Sequence, residues 1–170
     1  MVRQRIAVIE TGVVLQPEKR EAMPEPLTPD VLVYVCRNCM PAGTRLPRQW
    51  NEDGIRVVVR ETPCSGKIDV QYLLHALEGG AQGLCVAACP RGECTLAQGN
   101  YRAEIRVRTV QRLLGEIGLG PERAEIVHCS AKDDPRHLEE SVRQAVGRLS
   151  ALTRSPLRED SAREATLAKA

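Results

Sequence analysis

Seven cysteines stand in this chain: Cys36, Cys39, Cys64, Cys85, Cys89, Cys94 and Cys129. Thiolates are nucleophiles and soft metal ligands. In a small exported protein such a set would pair as disulfides. In a chain with its own core and a reducing surrounding it points to metal or redox chemistry. Cys36-Arg-Asn-Cys39 lets two thiolates grip one ion from a single turn. Cys89-Pro-Arg-Gly-Glu-Cys94 is a longer clamp, with Gly92 to turn the backbone. Cys64 is followed by Ser65 and Gly66, small residues that let amide N–H groups approach a sulfide. Hydrogen bonds to sulfur raise the potential of an anionic cluster, and Lys67 and Arg91 add positive charge nearby. Soft thiolates select zinc or iron–sulfur. A structural zinc site commonly uses paired C-x-x-C knuckles, and only one C-x-x-C is present. Four thiolates suffice for a 2Fe–2S cluster, so five candidates leave one spare, either a thiol behind the ligands or a redox partner.

The elements that must position these cysteines follow an alternating pattern. Residues 31–35 (VLVYV) read as a buried strand, and 55–60 (IRVVVR), 83–88 (GLCVAA) and 124–128 (AEIVH) as three more. A short helix is expected over 41–50. Asp69 caps a helix whose apolar face is Val70, Leu73, Leu74 and Leu77, closed by Gly79 and Gly80. Asn100 is expected to cap a helix carrying Val107, Val110, Leu114 and Ile117, stopped by Gly118, Gly120 and Pro121. Ser130 and Asp133 have capping-box spacing before a helix carrying Leu138, Val142, Ala145, Leu149 and Leu152. Strands alternating with helices imply an α/β fold: a flavodoxin-like, parallel four-stranded sheet, order 2-1-3-4, with helices on both faces. Residues 1–29 read as an N-terminal arm and linker with short strands at 6–9 and 13–15, residues 30–152 as the α/β domain, and 153–170 as a polar tail, frayed or disordered.

On this map Cys36 and Cys39 follow the first strand, Cys64 the second, and Cys89 and Cys94 the third. The carboxyl ends of parallel strands share one edge, where open α/β sheets bind ligands. Five cysteines from three adjacent loops therefore converge. Cys85 lies inside a strand and reads as a small buried hydrophobe. Cys129 ends the fourth strand and is a weaker candidate.

Composition narrows the function. Aromatic residues are 2% of the chain, too few for a base-stacking platform, and the net charge of +2 gives no warrant for nucleic acid. No apolar run spans a bilayer and the start of the chain lacks a cleavable signal pattern, so membrane insertion is not expected and the cytoplasm is. His75, His128 and His137 share no ligand spacing. Arg102, Arg106, Arg108 and Arg112 read as a solvated helix face, with docking to an acidic partner as the minority reading. Cys64-Ser-Gly-Lys is too short for a phosphate-binding loop. Two other classes compete with a cluster: a thiol–disulfide oxidoreductase using Cys36 and Cys39, and a zinc-stabilised scaffold.

The segments VCRNCMPAG, PCSGKID, ACPRGEC and GNYRAEIRV, followed by GLGPER and SAKD, resemble the delta subunit of methyl-viologen-reducing hydrogenase over residues 31–149. The resemblance implies a 2Fe–2S electron-transfer subunit serving heterodisulfide reductase-type complexes. Its partners would be a hydrogenase or formate dehydrogenase-type subunit on one side and a flavin-containing heterodisulfide reductase-like subunit on the other. No independent substrate site is expected. The recurring family cysteines fall on Cys36, Cys39, Cys64, Cys89 and Cys94. The chain departs from the family at Arg37-Asn38, where an aromatic residue is common, and at Pro90 and Thr95-Leu96, where histidines recur.

Overall fold

The computed structural model describes residues 29–158. Apolar runs rich in β-branched residues form its strands: β1 Val31–Cys36, β3 Ile55–Thr62, β4 Gly83–Ala88 and β5 Ala124–His128. These four are parallel in the expected order, β3-β1-β4-β5. The helices are α1 Val70–Glu78, α2 Gly99–Glu116 and α3 Pro135–Ser150.

Alternation along the strands makes two cores. Val31, Val33, Val35, Val57, Val59, Cys85 and Ala87 pack against Leu138, Val142, Ala145 and Leu149 of α3. Leu84 and Val86 face the other way, against Leu73 and Leu77 of α1 and Val107, Val110 and Leu114 of α2. A sheet buried on both faces needs such near-continuous apolar strands.

Three expectations change. Residues 41–50 form no helix; Gln49–Glu52 is a fifth strand, β2, antiparallel to β3 at the sheet edge. The cause is the Asp53-Gly54 pair, with φ of 50° and 78°. A two-residue turn with both φ positive matches the twist of paired strands and fixes Glu52 opposite Ile55. Asn100 lies inside α2, which begins at Gly99 behind a left-handed Gln98. Ser130 does not cap α3: Asp134 does, accepting from Arg136 N, and Pro135 takes the first turn, where its missing N–H costs nothing. Asp69 caps α1 as expected, accepting from Val70 N.

Residues 153–158 lie against the domain. Arg123, 5% exposed, donates to Leu119 O, Gln82 O and Thr153 O, and Arg158 pairs with Asp30. The expected strands at 6–9 and 13–15 and most of the expected tail lie outside the described residues.

Candidate metal centre

The cysteine loops leave the carboxyl ends of β1, β3 and β4. After β1 a 3-10 turn, Arg37–Cys39, folds the C-x-x-C back on itself. After β3 a second such turn, Ser65–Lys67, follows Cys64. After β4 the loop runs from Cys89 to the start of α2. Asn38 Nδ2 donates to Pro63 O at 2.8 Å and so ties the first loop to the second. Arg106 Nη1 donates to Gly66 O and Ile68 O at 2.7 and 2.9 Å, tying the second to α2.

These ties bring four sulfurs together: those of Cys36, Cys64, Cys89 and Cys94 each interact electrostatically with the other three. Cys64 Sγ and Cys94 Sγ both lie against Gly99, where a Cβ would overlap the first and sit 3.2 Å from the second. Cys39 interacts with the sulfurs of Cys36 and Cys89 as well. Its Sγ lies 3.1 Å from Cys36 O and 3.7 Å from Ala87 O, inside the α3-side core. Cys85 and Cys129 are buried in that same core, to which Cys36 and Cys89 also belong.

Backbone amides aim at the loop sulfurs. Ser65 and Asn38 donate to Cys36, Gly66 to Cys64, and Asn100, Leu96 and Gly99 to Cys94, with Gly99 N at 3.2 Å. The result is visible in acidity. The Cys39 thiol, helped by those amides, holds the Cys36 pKa down to about 5 against the pull of burial. Burial opposes ionisation of Cys94, but its three amides outweigh it and leave the thiol more acidic than usual. Burial pushes Cys64 up and Cys89 up to about 12. Bonding to Cys36 and then burial push Cys39 far up. Burial dominates at Cys85 and Cys129, and both are raised.

The Cys89–Cys94 loop is braced by residues with no obvious mark in the sequence. Glu104 is 5% exposed and receives Arg91 through two contacts, Nη2 to Oε2 at 2.7 Å and Nε to Oε1 at 3.3 Å. Arg108 and His128 Nε2 approach the same carboxylate at 3.7 and 3.4 Å. Arg91, read as charge for a cluster, is thus committed to Glu104. His128 Nδ1 is 3.2 Å from Cys89 O, and Asn100 Nδ2 donates to Pro90 O at 2.6 Å. Arg106, assigned to a solvated face, is a clamp. The spacing of Glu104 from Arg108 is the one signal in the sequence for any of this. Lys67 is exposed and lines a cavity of about 760 Å³ beside these loops with Arg37, Arg48 and Arg60.

Residues 31–153, which hold every cysteine loop just described, match the family model for the methyl-viologen-reducing hydrogenase delta subunit. This chain belongs to that family. It is 35% identical over 104 residues to the F420-non-reducing hydrogenase vhu iron-sulfur subunit of Methanocaldococcus jannaschii, covering 61% of this chain and 75% of that one. It is 30% identical over 114 residues to the F420-non-reducing hydrogenase iron-sulfur subunit of Archaeoglobus profundus, covering 65% and 82%. It is also 35% identical over 111 residues to the A component of the ferredoxin:CoB-CoM heterodisulfide reductase of Methanosarcina mazei, covering 64% of this chain but 14% of that far longer one. Similar stretches thus occur both as separate delta subunits and within a larger reductase chain. Among the described residues no helix is long and apolar enough to cross a membrane.

The residues fit an iron–sulfur cluster. Among the described residues no three Cys, His, Asp or Glu side chains converge as ligands of a single ion. Ser65 Oγ, buried at the start of the turn after Cys64, has no hydrogen-bond partner. An orphaned buried hydroxyl calls for an explanation, and a bound group offering sulfide acceptors supplies one.

Proposed function

We propose that this chain is a 2Fe–2S electron-transfer subunit, working between a hydrogenase or formate dehydrogenase-type subunit and a flavin-containing heterodisulfide reductase-like subunit in the cytoplasm. The observation that carries the proposal is the meeting of sulfurs from three loops, with six backbone amides turned toward three of them. A bound cluster supplies one-electron redox chemistry. The chain's own part is to hold thiolates at fixed spacing, donate hydrogen bonds to them and limit water. Cys36, Cys64 and Cys89 are 1%, 5% and 2% exposed, which keeps solvent off the sulfurs while Cys94 reaches the surface. The relatives named for hydrogenase and heterodisulfide reductase support the choice of partners.

One observation favours a thiol–disulfide oxidoreductase: Cys39 lowers the pKa of Cys36 as a resolving thiol would. Burial weighs against it, because a disulfide substrate cannot reach sulfurs that are 1% and 0% exposed. Anaerobic purification decides. The expected result is a brown protein with about two iron and two acid-labile sulfide per chain and a rhombic paramagnetic signal on reduction. The reduced protein should pass its electron to the flavin of a heterodisulfide reductase-like partner. A colourless chain that reduces a model disulfide, or one that carries zinc without sulfide, would overturn the proposal.

A further inference from the structure

We propose that the basic groove beside the free end of β3 docks an acidic, extended segment of a partner protein. The segment pairs with the Glu61 backbone as an added strand and sets its carboxylates against Arg48, Arg60 and Lys67. The proposal uses no thiol and stands apart from the cluster reading. Three observations carry it.

The first is an open sheet edge. β3 runs from Ile55 to Thr62, but β2 pairs only with its first four residues, Ile55 to Val58. Val59 N still donates to Arg48 O at 2.8 Å. Upstream of that bond Pro47 has no N–H to offer and Leu46 belongs to the α3-side core, so the chain leaves the edge. Along a strand the backbone groups turn alternately to one neighbour and the other. Arg56 O accepts from Asp30 N on the β1 side, and Val59 N points to the β2 side. Glu61, two residues after Val59, therefore turns its N–H and C=O to the outer edge. Among the described residues neither group has a backbone partner there.

The second is charge. The groove of about 760 Å³ along this edge is lined by Arg37, Arg48, Arg60 and Lys67 against one carboxylate, Glu61. Arg37 lies 3.8 Å from Glu61. Among the described residues the other three cations meet no carboxylate at ion-pair distance. On the helices Arg112, Arg143 and Arg148 each face a glutamate. The whole chain carries a net charge of only +2, so positive charge is gathered in this groove rather than spread. Cations beside an open edge repel a basic strand and attract an acidic one.

The third is shape. All four cations are exposed and the groove lies open to solvent, a poor enclosure for a small anion. Its floor is apolar, made by the buried Leu46, Val59 and Ile68. An extended segment sends alternate side chains to opposite faces, so apolar residues can meet the floor while carboxylates reach the cations. Arg37 stands between Cys36 and Cys39, and Lys67 ends the turn after Cys64, so a docked segment runs along both cysteine loops.

The test uses the full chain and a fluorescein-labelled peptide of alternating Glu and Val, followed by anisotropy. Binding should saturate and should weaken as salt is raised. The same peptide N-methylated at every residue keeps its charge but donates no backbone hydrogen bond, and should bind about fivefold more weakly or worse. A peptide of alternating Lys and Val should not bind. The double variant Arg60→Glu with Lys67→Glu should weaken binding about tenfold or more. Glu61 separates pairing from charge. Glu61→Ala removes the carboxylate and should tighten binding. Glu61→Pro removes the same carboxylate together with the edge N–H, while leaving the β1-facing groups of Arg60 and Thr62. It should bind about fivefold more weakly than Glu61→Ala. Folding is checked by far-ultraviolet circular dichroism, and if Glu61→Pro does not fold the N-methylated peptide decides the same point. Absence of binding, equal binding of the N-methylated peptide, equal binding by Glu61→Pro and Glu61→Ala, or displacement by inorganic pyrophosphate at the concentration of the peptide overturns the proposal. Iron content, read separately on the wild-type chain, tests the cluster reading and is untouched by any of these results.

Discussion

Gly99 opens α2 with Cys64 Sγ and Cys94 Sγ packed on its Cα. Replacing it by alanine sets two effects against each other. Helix propensity favours alanine over glycine by up to about 1 kcal/mol. The new methyl, however, would overlap Cys64 Sγ and sit 3.2 Å from Cys94 Sγ and 3.6 Å from Gly66 N. The neighbours have little room to yield, since a Cβ on Gly66 would in turn meet Gly99 Cα at 2.7 Å. Overpacking of this kind costs about 1–3 kcal/mol. Gly115 supplies the control, because it lies on the same helix and a Cβ there meets nothing within 4 Å. Gly115→Ala should therefore stabilise the chain by about 0.5–1 kcal/mol. Subtracting one variant from the other removes most of the propensity gain and leaves the clash. Gly99→Ala should be less stable than Gly115→Ala by about 1–3 kcal/mol. Both values come from denaturant midpoints at constant slope. Gly99→Ala should also lose most of its iron after reconstitution, whereas Gly115→Ala keeps it. If Gly99→Ala matched Gly115→Ala in stability and held full iron, the packing of Cys64 and Cys94 on α2 would not be the geometry that binds the metal.

Two further outcomes follow from the braces around the site. The Arg91 guanidinium holds the Glu104 carboxyl below the usual carboxylate range, against the pull of burial. A depressed carboxyl contributes stability that is full above its unfolded value and fades as pH falls through the lower folded value. Glu104→Gln should cost about 1–2 kcal/mol at neutral pH, since its partners are largely exposed, and should flatten the acid limb of a stability–pH curve below the ordinary carboxylate range. An acid limb identical to the wild type would remove Glu104 from that role. Arg123→Met, which keeps the stem and removes three hydrogen bonds to Leu119, Gln82 and Thr153, should cost about 2–3 kcal/mol and raise amide exchange near Thr153. Unchanged exchange there would show that residue 153 is held by something else.

Much of the scaffold was written locally. The apolar runs at β1, β3, β4 and β5 read as strands because a sheet covered on both faces needs continuous apolar residues. Asp69 and the leucines of α1 read as a cap and a face because both signals lie within one or two turns. The edge strand β2 was legible too, but in Asp53-Gly54 rather than in the residues of the strand, whose Gln-Trp-Asn-Glu pattern is only half-buried.

The meeting of the loops follows from parallel order, which sequence pattern conveys: every strand end that carries a cysteine faces the same edge. How the sulfurs meet does not follow, because Cys36 and Cys39 are three residues apart and only the 3-10 turn folds them back on one another. The same holds for Arg91, Glu104 and Arg106. Their charges suggest solvent, and the approach of α2 to two loops makes them ties instead. Sequence by itself determined the elements and the edge on which chemistry gathers, since both depend on short-range pattern. Tertiary structure alone decided which thiols face one another and which amides point at them, since those directions are set by contacts between segments far apart in the chain.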